Sequence, residues 1–535
     1  MGSGKGGEAT ERYGECLTRL YRTHSLKLGL ERMKALSESF GNPGDSYKTI
    51  HVAGTNGKGS VCHKISVSLK LRNYRVGLFT SPHVFSLRER IKVDDECISE
   101  EDLVSLVGEV WKKADELDLK PSFFETVTIV AYLFFRAKGV DYAVVETGIG
   151  GRLDATNILK KPDLVIITSI GYDHQQLLGT HLSDICEEKI GIIKRSTSVV
   201  VGPSVSLYRS LFTRATDLGC TLTVVPPEPR GETFNEENTR IATEALKVLK
   251  VDAPSDPILQ AVICVKPPLR MQYLASEQLE HVMKKVSPSP GSFTSGASLP
   301  LAVILDVGHN ETAVDRLCQD VNCFHKGRPI RVCVCATRPR SLAIFQPLVA
   351  HFQGLLQVGS GEEKSGTTWS GVPSLPDALL PFRRTISLLR IPIMWTRLPI
   401  CPPLLRLRLP IFPPPPQDVL YLPSLNDRTY DFAEVAEMLN GDEQISGELR
   451  GLLLRSAEKV TGWLAGNPYT RGKAGEGAPK STIPLIVKNA FLECCKDKSI
   501  LLICGTFFMF DEVLPVFDIR SDLQDPISMN EPSPM

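Results

Sequence analysis

The chain has 535 residues, with Lys plus Arg and Asp plus Glu both at 61 and a formal net charge of +0. That length predicts two or more domains, and the charge balance argues against a protein built to coat nucleic acid or an anionic membrane. No apolar run reaches the roughly eighteen residues of a spanning helix, so neither a nucleic acid nor a membrane is an expected partner. The N-terminal MGSGKGGEATERYGE has no apolar core and meets acidic residues early, unlike a secretory or transit peptide; residues 1–15 read as a disordered lead. The 14 cysteines are scattered and include no C-x-x-C pair, which favours reduced thiols and a cytoplasmic setting, with a mitochondrial form from another start left open.

In chain order, Val- and Ile-rich runs recur between amphipathic stretches: YKTIHVAG, YRVGLFTS, VDYAVVET, PDLVIITS and SVVVGP, then LAVILDVG, PIRVCVCA and SILLICGT. Such runs alternating with helices predict an α/β fold with mostly parallel strands covered on both faces. The helix expected after Ser60 carries Val61, Ile65 and Leu69 on one face. Between about Lys266 and Pro300 the sequence turns Pro- and Ser-rich, which places a first domain at 16–295 and a second at 300–525, with a tail at 526–535. An irregular segment, 361–416, interrupts the second domain. From Trp369 to Pro416, Arg383, Arg384, Arg390, Arg397, Arg406 and Arg408 alternate with Pro and Leu, without helix or strand periodicity. It reads as a disordered basic insertion, an arginine-bearing docking loop, or translated non-coding sequence.

Three strand ends carry chemistry. The first run passes into HVAGTNGKGS, whose Gly54, Gly57, Lys58 and Ser60 have the residues of a phosphate-binding loop at an unusual spacing. Between a strand and a helix, such glycines let backbone N–H groups approach phosphates; Lys58 would bridge the β- and γ-phosphates and Ser60 would ligate Mg²⁺. A Gly-rich turn without function is the alternative. The second end, VDYAVVETGIGGRLDATN, delivers Glu146, followed by a turn with Arg152 and Asp154; Glu146 could share the Mg²⁺ or cap a neighbouring helix. The third delivers Asp173 and His174, with Lys189 on the next helix. A histidine there is either a metal ligand or an ordinary polar residue.

Taken in order, HVAGTNGKGS, TSPHVFSLRERI, SFFETVT, ETGIGGRLDATN, SIGYDHQQLLG, EEKIGI, FNEEN, ILDVGHN and ICGTFF resemble the folylpolyglutamate synthase and dihydrofolate synthase branch of the Mur ligase family. The resemblance runs from 17 to about 275 and resumes at 301–318 and 498–517, and within the branch it is nearest the bifunctional enzymes of protists. It implies a P-loop ATPase domain and a smaller Rossmann-like C-terminal domain. It further implies an ATP-dependent amide-forming ligase: ATP first phosphorylates a carboxylate of the pterin-bearing substrate, and the amine of L-glutamate then attacks the acyl phosphate.

ADP and phosphate then leave. A free carboxylate is a poor electrophile because its leaving group would be oxide, whereas phosphate departs readily, and two Mg²⁺ ions would neutralise the developing charge.

Carried over by motif, Gly57, Lys58, Gly59 and Ser60 would bind the ATP phosphates, with Asn238 on the adenine side and Arg270 and Asp306 reaching ATP from the hinge and the C-terminal domain. Ser60, Ser81 and Glu146 would hold the first Mg²⁺. His174 would hold the second, assisted by Lys189 if that lysine is carbamylated; otherwise Lys189 is an ordinary helix-surface lysine. Phe124, Glu125 and Thr126, with Leu153, Asp154 and Ala155, would contact the pterin, although Phe124 also suits a core role. The implied partners are dihydropteroate, reduced folates and L-glutamate, acting on a monomer with both ligase activities. Competing expectations are a single activity, an ATP-binding chain with an impaired C-terminal domain, or a muramyl ligase. The chain departs from the family pattern at Leu269, where a small residue usually precedes the hinge arginine, at TRPRS after RVCVCA, and throughout 369–416.

Overall fold

The structure is a computed structural model that describes residues 4–23, 29–228, 231–251, 262, 265–286, 299–338, 340–352, 418–422, 432–465, 483–506 and 509–526. The irregular segment 361–416 and the tail from 527 lie outside the described residues.

The N-terminal sheet contains β1 (Lys48–Ala53), β2 (Val76–Phe79), β3 (Ile91–Val93), β4 (Glu96–Cys97), β5 (Tyr142–Glu146), β6 (Leu164–Ile167), β7 (Ser198–Val201) and β8 (Thr221–Val224). Its eight strands run in the order β4-β3-β2-β5-β1-β6-β7-β8. All neighbours are parallel except β2 with β3 and β3 with β4. β1 therefore sits between β5 and β6, and the three chemistry-bearing strand ends emerge side by side. Covering helices are α1 (Gly4–Arg22), α2 (Glu31–Ser39), α3 (Lys58–Lys70), α4 (Glu100–Glu116), α5 (Phe123–Lys138), α6 (Gln175–Leu178), α7 (Leu182–Ile190), α8 (Arg209–Asp217) and α9 (Phe234–Val248).

Side chains of a central strand alternate between faces, so a strand buried on both sides reads as an unbroken apolar run. In β5, Val144 joins Ile65 of α3 and Ile241 of α9 on one face, while Ala143 and Val145 join Val127 and Ile129 of α5 on the other. The second sheet consists of β9 (Gln272–Tyr273), β10 (Ala302–Asp306), β11 (Ile330–Cys335), β12 (Asp418–Tyr421) and β13 (Ile500–Gly505), in the order β12-β11-β13-β10-β9. It is parallel except at β9. Among the described residues, no helix is long and apolar enough to cross a membrane.

Two expectations need correction. The lead expected to be disordered at 1–15 lies largely within α1, which buries Tyr13, Cys16, Leu17 and Leu20. Their three- and four-residue spacing forms one helical face, beneath the glycines that mask it in the sequence, and Arg19 stacks over the Trp111 ring of α4 at 3.9 Å. The domain boundary also falls earlier than 295–300. β9 pairs with β10, and the helix Ser276–Val286 puts Leu279 and Val282 into the C-terminal core, so 272–286 belong with the second sheet.

Candidate active site

The phosphate-type loop leaves β1 and enters α3 at Lys58, with Gly57 as N-cap at φ 87°. Its glycines are required by close neighbours. A Cβ on Gly54, at φ 150°, would lie 1.9 Å from Thr168 Oγ1, and one on Gly57 would lie 2.3 Å from Asn238 Oδ1. The residues after β6 brace the loop: Thr168 Oγ1 and Ser169 Oγ donate to the Asn56 carbonyl at 2.6 and 3.0 Å, and Asn56 N donates to Ser169 Oγ at 3.0 Å. Lys58 folds back over the loop and donates to the carbonyls of Gly54 and Thr55 at 3.1 and 3.2 Å. The first turn of α3, which includes Ser60, carries no acidic side chain against the positive end of the helix dipole.

Glu146 ends β5 beside this turn, buried, with its Oε2 3.4 Å from where a Cβ on Gly59 would stand. Ser81 N donates to the same oxygen at 3.0 Å. Burial pushes the Glu146 carboxyl up, against the pull of Lys58, the Ser81 N–H, Arg270 and Arg90. A carboxylate held here gains from a cation. Arg270 also lies near Asp306, which accepts from Gly308 N at 2.6 Å and Met271 N at 2.8 Å. Leu269 adopts φ 57° with its side chain buried, which explains why a small residue suits that position and shows that this chain makes the turn with leucine.

On the other side of the loop, His174 caps α6 at φ 51° and Lys189 lies buried on α7, where its Nζ donates to the Gly54 carbonyl at 3.1 Å. Burial lowers the His174 imidazole to about 4, outweighing Asp173, and lowers the Lys189 ammonium to about 7, with Lys58 adding repulsion. The His174 imidazole is thus neutral near pH 7, and the Lys189 amine is neutral in part. Lys189 is buried beside the loop and is not the ordinary surface lysine of the alternative reading.

The remaining residues sort by place. Asn238 of α9 is buried against Gly57 with its Oδ1 unpartnered. Phe124 packs on Phe79 at 5.8 Å and fills the space a side chain on Gly148 would need. Glu125 and Thr126 are committed to the start of α5: Glu125 accepts from Ser122 N and pairs with Arg32 at 3.1 Å, and Thr126 Oγ1 donates to the Ser122 carbonyl. Asp154 is buried between Leu153 and Ala155 and accepts from Ile149 N and Thr156 N at 2.9 and 3.0 Å. That turn rests on His51, whose Nε2 lies 2.8 Å from Thr156 Oγ1. Among the described residues, no three His, Cys, Asp or Glu cluster as a metal site.

Residues that sequence reasoning passed over also meet the loop and Asp173. Asn310, the N-cap of the helix Glu311–Phe324, exchanges hydrogen bonds with Asn56 and donates to Asp173 at 3.0 Å. Arg340, from the divergent TRPRS stretch, reaches across to Asp173 at 2.6 Å. Burial alone would raise Asp173, but the hydrogen bond from His309 and the charges of His309, His174 and Arg340 hold it well below the usual carboxylate range. The N-cap signature of Asn310 ahead of an amphipathic run was visible in the sequence; its partner Asn56 was not.

The Mur ligase middle domain family matches residues 52–221. A dihydrofolate synthase/folylpolyglutamate synthase of Bacillus subtilis is 32% identical over 317 residues, covering 55% of this chain and 72% of that protein. The chain belongs to the folylpolyglutamate synthase/dihydrofolate synthase family. A probable dihydrofolate synthetase of Schizosaccharomyces pombe is 42% identical over 180 residues, 33% of this chain but 42% of that protein, so the match spans less than half of this relative. Among solved structures, E. coli FolC in complex with DHPP and ADP shares the fold with a TM-score of 0.63 at 20% identity, over 95% of this chain and 98% of that one.

Proposed function

We propose that this protein is an ATP-dependent ligase that joins L-glutamate to dihydropteroate, forming dihydrofolate, and to the γ-carboxyl of reduced folates. The observation that carries the reading is the buried Glu146 carboxylate at the end of β5, beside Lys58, Gly59 and Ser81. Phosphoryl transfer to a substrate carboxylate would give the acyl phosphate that the glutamate amine attacks, so one site must hold nucleotide and carboxylate together.

The loop N–H groups of Gly57 to Ser60 and the Lys58 ammonium would cradle the phosphates. Asn238 would meet the adenine side with its unpartnered oxygen, and Arg270 and Asp306 would reach the nucleotide from the hinge and the second sheet. Ser60, Ser81 and Glu146 would hold one Mg²⁺, and His174 with a carbamylated Lys189 would hold a second. Bound Mg²⁺ would neutralise charge on the transferring phosphoryl group. Carbamylation requires an unprotonated amine, which the lowered pKa of Lys189 supplies, and the product would exchange a buried cation for an anion. Phe124 and the Leu153–Ala155 turn would hold the pterin. We read the protein as a monomer. An ATP-binding chain without turnover is less well supported, because Arg270 and Asp306 are retained beside Glu146 and the hinge.

The test is ADP formation by the purified protein. The reading requires that release depend on Mg-ATP, L-glutamate and a pteroate substrate together; release that ignores the pteroate would overturn it.

A further inference from the structure

The carboxylate of Asp525, near the end of the described chain, joins three separate segments. It accepts from Tyr13 Oη at 2.6 Å and Tyr21 Oη at 3.5 Å, both on α1, and from Ser86 Oγ at 2.7 Å and Leu87 N at 2.8 Å. Asp525 N in turn donates to the Phe85 carbonyl at 3.1 Å. Three of these five bonds fall on Phe85, Ser86 and Leu87.

That short segment lies between two parts of the candidate site. Upstream, Ser81 N donates to Glu146. Downstream, Arg90 is buried, donates from Nε to His83 Nδ1 at 2.9 Å, lies over the Phe123 ring at 5.2 Å and pulls on the Glu146 carboxyl. Between them, Glu89 accepts from the backbone N–H groups of Val84, Phe85 and Ser86 at 3.0, 2.7 and 2.8 Å. Val84 and Phe85 also pack against the C-terminal core that contains Phe510 and Phe517. The segment is thus held on one side by the second domain and on another by Asp525.

We infer that Asp525 is a positioning residue for the candidate active site: it holds Phe85 to Leu87 so that Ser81 and Arg90 stay aligned on Glu146. The end of the chain would then tie the second domain to the geometry of the nucleotide site. The kinetic part of this inference rests on the ligase reading, and the exchange part does not.

The test compares Asp525→Asn, Asp525→Glu and Tyr13→Phe in the full chain. The Asn side chain keeps the shape but replaces an acceptor with a donor facing other donors. Hydrogen exchange at 84–90 is expected to rise about tenfold in Asp525→Asn, with exchange at 58–70 unchanged. The kcat/KM for the pteroate substrate should fall about tenfold while the KM for ATP stays within about twofold, and Asp525→Glu should recover part of the loss. Tyr13→Phe removes one of the two α1 hydrogen bonds to Asp525, leaves those to Ser86 and Leu87 in place, and should leave both readouts near wild type. The inference is overturned if Asp525→Asn lowers the Tm without changing exchange at 84–90, or if Tyr13→Phe reproduces its effects. Wild-type protein that makes no product, yet shows the exchange difference, would count against the ligase reading and leave the positioning role standing.

Discussion

Asn56 of the phosphate-type loop and Asn310 of the second domain exchange side-chain hydrogen bonds, 3.1 Å in one direction and 3.0 Å in the other. Asn310 also accepts from Ala313 N as the cap of its helix. Asn310→Ala should cost about 1 kcal/mol of stability through the lost cap, and should weaken kcat/KM more than that change in stability explains. Asn310→Asp keeps the cap acceptor but loses the donor to Asp173 and Asn56; chemical denaturation with parallel kinetics separates the two roles.

Lys58→Ala should abolish turnover, because the other loop contacts are backbone groups that carry no full positive charge. Steady-state kinetics check this, and retained activity would show that the phosphate site is misassigned.

Lys189→Ala should cripple turnover and recover partly when small carboxylates are added, since they can supply the anion that a carbamate would provide. Mass analysis of the intact wild-type protein under bicarbonate gives an independent readout of the modification.

At Leu269 the usual order of Gly and Ala should invert. The left-handed φ of 57° costs a β-carbon roughly 1–2 kcal/mol, and glycine escapes that cost. Both substitutions lose the buried side chain, for about 2–5 kcal/mol. Leu269→Gly should therefore be about 1 kcal/mol more stable than Leu269→Ala, as read by urea denaturation.

Burial lowers the His51 imidazole to about 3 from its ordinary 6.5. The unfolded chain binds the extra proton between those values, so this histidine's contribution falls as pH drops through 6.5 and continues to fall toward 3, by up to about 1.4 kcal/mol per pH unit. His51→Gln should flatten that part of the pH dependence in denaturation curves taken from pH 7 to pH 4.

The parts of the fold legible in the sequence are those where burial on both faces writes a continuous apolar run. Ala143, Val144 and Val145 mark β5 because helices cover both sides, and the other central strands read in the same way. β4 has two half-exposed or exposed residues and β9 two more, too short to carry a period, and their pairing depends on partners distant in sequence. The glycines of α1 concealed a helix that tertiary packing stabilises. At the candidate site, Lys58, Glu146 and His174 could be named because each lies at or follows a strand end, whereas Lys189 could be named only through the resemblance of EEKIGI to the family's motif. Asn56, Arg340 and Asp525 could not, because each acts through a contact across the domains that local spacing does not encode.

The most direct measurement is the mass of the product formed from Mg-ATP and L-glutamate with dihydropteroate and with tetrahydrofolate, supplied separately. The account predicts one or more added glutamyl residues on both acceptors, with one ADP released per residue added. ATP binding without a glutamylated product from either acceptor would contradict it.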